Sequence, residues 1–327
     1  NPDATEPCLL PIWEAARHMD PSGSRHAMDV LSEMLRLKPD DFKARWLFNV
    51  AAMTVGDWPD KVPKELLVPP SAFASEQDVG RFRDRAAACG ITDRGLAGGV
   101  CEEDFDGDGY LDLVLSNWAI EAPMHYYRND GSGQFIDRTA ESGLASITGG
   151  LNMLHADYDN DGDADILVTR GGWKAESYTR QPLSLLANDG HGVFEDVTED
   201  AGLLCFLSTQ TASFADYDGD GWLVLFVGNE SYKKQRVPCR LYHSNRDGTF
   251  TEVGADAGVD VIGYVKACGW GDMDNDGDPD LVLSKMDGPP MLFRNDGGRF
   301  TDVTAQSGVA GPPHSFPCWG FGYDNDG

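Results

Sequence analysis

Asp104-Phe105-Asp106-Gly107-Asp108-Gly109-Tyr110-Leu111-Asp112 is the stretch on which the fold turns. Counted from Asp104, carboxylates fall at positions 1, 3, 5 and 9, with glycine at position 6. Alternate side chains of a tight turn point to a common centre, and the glycine permits the bend. Position 7, Tyr110, offers a backbone carbonyl. Hard oxygen donors at this density suit Ca2+ better than Mg2+, which keeps more of its water. Without a cation, carboxylates about 4 Å apart repel by about 4 kcal/mol per pair at an effective dielectric of about 20.

The pattern recurs three times. A second loop carries Asp157, Asp159, Asp161 and Asp165, with Asp163 at position 7. A fourth carries Asp272, Asp274, Asp276 and Asp280, with Asp278 at position 7. The third has Asp216, Asp218 and Asp220, with Trp222 at position 7, but position 9 is Val224. One ligand is lost there, which predicts weaker cation binding. A fifth loop begins at Gly322, with glycine in place of the first carboxylate, and the chain ends at Gly327 before position 9. The expectation is an incomplete site and a domain incomplete at its C-terminus. An EF-hand is excluded, because it needs a bidentate Glu at position 12 and flanking helices. Position 12 here is Leu115, Val168, Val227 and Leu283, each inside a strand pattern.

The loops start 53, 59 and 56 residues apart, and each sits in the same setting. A glycine-rich or apolar strand leads in (Gly149–Leu154), and an alternating strand leads out (Leu111–Leu115). A third strand ends in an Asn/Asp/Gly turn: Asn129-Asp130-Gly131, Asn188-Asp189-Gly190, Asn245-Arg246-Asp247-Gly248 and Asn295-Asp296-Gly297. Such turns supply positive φ cheaply and mark hairpins. A fourth strand closes each unit, at Phe135–Asp137, Phe194–Thr198, Phe250–Val253 and Phe300–Thr304. Four strands per repeat of this length is the plan of a propeller blade, and tight antiparallel hairpins favour radial packing over a solenoid. The predicted fold is therefore mainly β: a calcium-binding β-propeller of four-stranded blades with a small N-terminal helical region.

These units resemble the FG-GAP or VCBS repeats of the integrin-α-type propeller. Phrases such as Tyr158-Asp159-Asn160-Asp161-Gly162-Asp163 and Phe300-Thr301-Asp302-Val303-Thr304 are similar to those of the bacterial relatives of cartilage acidic protein. The resemblance runs from about residue 95 to 327. It implies a secreted, periplasmic or cell-surface protein that uses calcium structurally and serves adhesion or protein contacts. A further C-terminal domain is common in that family and is absent from this stretch. The implied partner is a protein or glycan, met alone or within a larger surface assembly.

Residues 1–93 differ from residues 94–327: they carry no Asp-rich loop and read as helical. Met28, Leu31 and Leu35 share one face of a segment from about Arg25 to Leu37. Asp40-Asp41 can cap a second helix reaching about Val55, with Trp46, Val50 and Met53 on its apolar face. The pair resembles a tetratricopeptide helix pair. Pro59, Pro63, Pro69 and Pro70 give residues 56–72 the look of a linker crossing a surface. The chain begins at Asn1 rather than Met, which suggests a processed or trimmed N-terminus.

The net charge is −28 over 327 residues, and it concentrates in the short Asp clusters. Phosphate binding needs a basic surface, so nucleic acid is excluded as a partner and an acidic membrane is disfavoured. Runs such as Leu223–Val227 fall far short of the roughly 18 apolar residues of a membrane span. The seven cysteines form no Cys-x-x-Cys pair, which excludes zinc-ribbon and redox motifs. Cys268 and Cys318 each stand four residues before position 1 of their loops. The seven histidines have no metal-triad spacing, and His155, just before the second loop, reads as structural. No Gly-x-Ser-x-Gly nucleophile motif appears, so no catalytic residue is assigned and the chain is not expected to be an enzyme. Two functions are expected: an interaction module, or alternatively a polysaccharide- or lipid-active enzyme or its accessory subunit, which the resemblance implies because related repeats also occur in polysaccharide-degrading and lipase-like proteins.

Overall fold

The computed structural model describes residues 10–12, 14, 17–74, 84–170, 181–231, 236–309, 311, 314–316 and 318. The fifth loop, from Gly322, lies outside the described residues. Contacts divide the chain into two compact units, Asn1–Arg85 and Ala86–Gly327.

The first unit is built on two helices, α1 (Ser22–Leu37) and α2 (Phe42–Thr54). Asp41 caps α2, its side chain accepting the Ala44 N–H at 2.9 Å. The buried face of α2 is only partly the one expected: Met53 is buried and Val50 half-buried, but Trp46 is not in the core. Ala44, Phe48 and Ala52 join Leu35, Met28 and Leu31 in the core, whereas Trp46 is 40% exposed. The reason lies in the segment read as a linker. It folds back on the helices: Val62, Leu66, Leu67 and Trp58 complete the cluster. The buried Asn49 ties it down, donating to Leu66 O at 2.7 Å and accepting the Val68 N–H at 2.9 Å. Prolines here shape a covering loop, and the core follows that cover rather than the apolar count of the helix.

The second unit contains four four-stranded antiparallel sheets, each a simple meander. Sheet 1 is β1 (Ala97–Glu103), β2 (Asp112–Asn117), β3 (His125–Asn129) and β4 (Phe135–Asp137). Sheet 2 is β5 (Asn152–Ala156), β6 (Asp165–Thr169), β8 (Ser184–Asn188) and β9 (Phe194–Asp196), with β7 (Gln181–Pro182) paired separately to β10 (Phe206–Leu207). Sheet 3 is β11 (Thr209–Ala215), β12 (Val224–Asn229), β13 (Arg240–Ser244) and β14 (Phe250–Glu252). Sheet 4 is β15 (Val265–Gly271), β16 (Asp280–Lys285), β17 (Met291–Asn295) and β18 (Phe300–Asp302). The first strands of successive sheets lie side by side, β1 against β5, β5 against β11 and β11 against β15.

Neighbouring sheets pack face to face through three apolar layers. Val114 and Tyr126 of sheet 1 meet Ile166 and Phe194 of sheet 2. Leu167 and Leu185 meet Leu225 and Tyr242, and Phe226 and Leu241 meet Leu281 and Phe293. The second strands record this order. β6 and β12 are buried at every residue, because their sheets are covered on both faces, and β2 alternates. Continuous apolar runs suit a doubly covered strand and alternation a singly covered one.

A recurring glycine joins the sheets. A Cβ at Gly143 would come within 2.5 Å of Phe194 O in the next sheet, and one at Gly202 within 3.2 Å of Phe250 O. Both glycines have positive φ. Gly90 stands in the same relation to Phe135 O, at 2.5 Å. Residues 86–93, placed with the helical region from their lack of Asp loops, therefore pack on β4 and belong to the second unit.

Side-chain amides add a second inter-sheet link. Asn188 Nδ2 donates to Phe105 O of sheet 1 at 3.0 Å, and Asn295 Nδ2 to Tyr217 O of sheet 3 at 2.7 Å. Asn245 is not their counterpart. Strand pairing sets Ser244 opposite Phe250, as Asn188 is opposite Phe194, and Asn245 bonds only within its own exposed hairpin. Asn188→Ala should therefore cost about 2–3 kcal/mol by stranding buried carbonyls, and Asn245→Ala less than about 1 kcal/mol. Urea unfolding of both variants measures the difference, and equal losses would contradict this strand register.

Candidate metal centres

The four loops share one backbone design. The position-1 carboxylate accepts two main-chain N–H groups, from positions 5 and 6. Asp104 holds Asp108 and Gly109 at 3.0 and 2.8 Å, and Asp157 holds Asp161 and Gly162 at 3.1 and 3.0 Å. Asp216 and Asp272 repeat the arrangement with Asp220 and Gly221, and with Asp276 and Gly277. The position-5 carboxylate accepts the N–H of position 7, as Asp108 does from Tyr110 and Asp220 from Trp222. Gly109, Gly162, Gly221 and Gly277 at position 6 all adopt positive φ, between 86° and 98°. That conformation is the reason glycine is needed there.

The loops gather carboxylate oxygens within 4.8 Å of one another. Loop 1 brings together Asp104, Asp106 and Asp108, and loop 4 Asp272, Asp274 and Asp276. Loop 2 brings together Asp157, Asp159 and the position-9 Asp165. Loop 3 gathers Asp218, Asp220 and a residue from another strand, His243. Asp112 and Asp280 stand outside these sets. So do Asp161, Asp216 and the position-7 carboxylates Asp163 and Asp278; Asp278 instead accepts the Gly297 N–H at 2.9 Å.

Position 9 acts as a structural bracket. Asp112, Asp165 and Asp280 are almost fully buried. Their Oδ1 atoms accept the N–H of Asn129, Asn188 and Asn295 at 2.7, 2.9 and 2.7 Å. Those asparagines return Nδ2 to the position-8 carbonyls of Leu111, Ala164 and Pro279. The other oxygen accepts Tyr158 N at 3.2 Å in loop 2 and Met273 N at 2.8 Å in loop 4. In loop 1 it accepts the Tyr126 hydroxyl at 2.6 Å. In sheet 3 both halves of the bracket change together. Val224 replaces Asp and enters the apolar core, and Ser244 stands where the other sheets have Asn.

Burial and neighbouring like charges disfavour the ionised form of several of these carboxylates. Burial pushes the Asp165 carboxyl up to about 7, against the opposing pull of the Asn188 and Tyr158 N–H groups. Burial and the adjacent Asp161 and Asp157 raise Asp159. Burial first, then Asp220, raises Asp218. A divalent cation relieves this desolvation and repulsion together, and oxygen-rich donor sets of this kind fit calcium. Asp106 Oδ1 is buried with no hydrogen-bond partner, a further oxygen with unused acceptor capacity.

The loop spacing did not reveal the third-strand residues facing the carboxylates. Arg128 donates through Nε to Asp106 and through Nη2 to Asp108, the latter at 2.5 Å. His243 Nδ1 lies 3.9 Å from Asp218, and Arg246 Nη2 donates to Asp220 at 2.5 Å. The available signal was positional: Arg128 and His243 are the last third-strand residues before the bracket position.

Comparison with known proteins agrees with the repeat reading. The FG-GAP-like repeat model matches residues 104–168 and 216–283. Each match runs from the first carboxylate of one loop to the strand leaving the next, so all four loops are included. Cartilage acidic protein 1 of Mus musculus is 26% identical over 218 residues, covering 61% of this chain and 32% of the relative. Its Homo sapiens counterpart is 27% identical over 208 residues, covering 58% and 30%. The chain thus spans about a third of the length of these relatives. Among solved structures, BBS1N in complex with ARL6DN, soaked with lead, overlaps 64% of this chain and 57% of that one, with a TM-score of 0.38 and 12% identity.

Asp165 provides a pH test. Its folded pKa is raised above the ordinary carboxylate value, so between about pH 4 and 7 the folded chain binds this proton more tightly than the unfolded chain. The contribution of Asp165 to metal-free stability falls as pH rises through that window. A cation bound at this loop would compete with the proton and move the midpoint down. Carboxyl 13C NMR titration of the chelated protein should place Asp165 near pH 7, and a midpoint at about 4 would refute the burial argument.

Proposed function

Because this chain carries FG-GAP-like repeats through all four of its Asp loops, we propose that it is a calcium-stabilised, extracytoplasmic interaction module of β-propeller type, binding a protein or glycan partner and without catalytic activity of its own. The observation that supports this most directly is the convergence of carboxylates in four loops of one backbone design. The ligands are the loop carboxylates, joined by the position-7 carbonyls. Calcium bound there neutralises charge that the fold otherwise keeps together at a cost, so its role is to rigidify the loops between packed sheets.

Shallow loops with several exposed carboxylates resemble calcium sites of extracellular modules, which bind in the range of about 0.1–1 mM and fill where calcium is abundant. Among the described residues no helix is long and apolar enough to cross a membrane. The likeness to cartilage acidic protein 1 supports an interaction role outside the cytoplasm. The surplus of negative charge keeps nucleic acid out of consideration.

The reading predicts a rise in melting temperature with calcium over chelator, because a ligand held only by the folded state at about 100 times its Kd adds about 2.7 kcal/mol. Differential scanning calorimetry on the whole chain measures it, and an unchanged melting temperature after exhaustive chelation would overturn the proposal. Asp159→Ala or Asp274→Ala should shrink the calcium-induced shift more than Asp218→Ala, since loop 3 lacks its position-9 carboxylate.

A further inference from the structure

One position of each third strand faces the loop of its own sheet. It is the residue before the bracket, fixed by equivalent strand pairings: Arg128 opposite Ile136, Ala187 opposite Glu195, His243 opposite Thr251 and Arg294 opposite Thr301. The four side chains differ sharply in what they offer a carboxylate.

In sheet 1 the Arg128 guanidinium spans the loop, bonded to both Asp106 and Asp108. In sheet 3 the same task is divided between His243, near Asp218, and Arg246, bonded to Asp220. Sheet 2 has only the methyl of Ala187. No arginine, lysine or histidine among the described residues forms an ion pair with Asp157, Asp159 or Asp161. In sheet 4 Arg294 gives its hydrogen bonds to Asp296, through Nε and Nη2 at 3.2 and 2.9 Å, and acts on Asp274 and Asp276 only through space. Position 9 divides the loops differently. Asp165 alone converges with its loop carboxylates, whereas Asp112 is held by the Tyr126 hydroxyl, Asp280 by the Met273 and Asn295 N–H groups, and Val224 has no oxygen to give.

Resting on the calcium reading above and extending it, we infer that loops 1 and 3 are locked by the protein's own basic side chains, while loops 2 and 4 are the calcium-demanding sites. A guanidinium relieves the same carboxylate repulsion that an ion would relieve. Calcium entering loop 1 must first break two charge-assisted hydrogen bonds, and that lowers its affinity there. The lock is displaceable. Arg128 is about one third exposed and borders, with Asp106, a cavity of about 250 Å³ open to the next hairpin at His191. Asp106 Oδ1 also stays free to accept an incoming ion. The alternation makes the module partly ordered without calcium and fully ordered with it.

The test is calcium titration of the full chain by isothermal calorimetry. Asp157→Asn should remove about one tight site per chain, and Asp104→Asn should leave the tight sites in place. Arg128→Met, which keeps the apolar stem, should tighten the weakest calcium phase by at least about tenfold. Ala187→Arg should weaken a tight phase by a similar factor. Because Ala187 also packs in the core, the Asp157→Asn result stands independently of it. Loss of a tight site in Asp104→Asn but not in Asp157→Asn, or an unchanged titration for Arg128→Met, would sink the lock while sparing the calcium reading. Absence of any calcium binding by the unmodified chain at millimolar concentration would sink both.

Discussion

The pairing of a buried carboxylate with a third-strand asparagine is the contact on which the β unit depends. Asp165 and Asn188 illustrate it, with Asn188 Oδ1 left buried and without a hydrogen-bond partner. The aspartate accepts the asparagine's main-chain N–H and that of Tyr158, which ties the loop entrance to the hairpin. The asparagine amide spans the position-8 carbonyl of its own loop and Phe105 O of the preceding sheet. One side-chain pair thus holds loop shape, hairpin register and the seam between sheets. Removing one half of such a buried polar pair strands the donors and acceptors of the other half, which explains why Val224 and Ser244 change as a couple in sheet 3.

The carboxylates serve two physical ends. Those at positions 1 and 9 are mostly consumed by main-chain donors and hold the loops in shape. Those at positions 3 and 5 carry the charge that the loop does not itself neutralise, and it is at these positions that Arg128 and Arg246 intervene. A loop can therefore keep its backbone while differing widely in its appetite for a cation. The acidic motif describes the shape, and the facing strand sets the electrostatics.

Packing follows the same division between local and distant causes. The doubly covered strands β6 and β12 are apolar along their whole length because a sheet lies on either side of each. The recurring glycines at 90, 143 and 202 are needed because a main-chain oxygen of the next sheet fills the place of a Cβ. In the helical unit, Trp46 lies outside the core because Val62, Leu66 and Trp58 return to cover Ala44, Phe48 and Ala52 instead.

Read alone, the chain of residues determined the repeat, the four-stranded hairpin units, the loop positions and the missing position-9 carboxylate of loop 3. These rest on short-range rules: alternation of side chains, positive φ at glycine, and carboxylates spaced to share a centre. The membership of residues 86–93, the mismatch of Asn245 with Asn129 and Asn188, and the proline-rich segment's place in the helical core were decided by tertiary structure. So was the meeting of Arg128 with Asp106, 22 residues away along the chain. Each depends on which strand pairs with which residue and on what lies across the next seam. Spacing in a single sequence carries no direct record of either, because a one-residue shift in pairing leaves composition untouched and changes every contact.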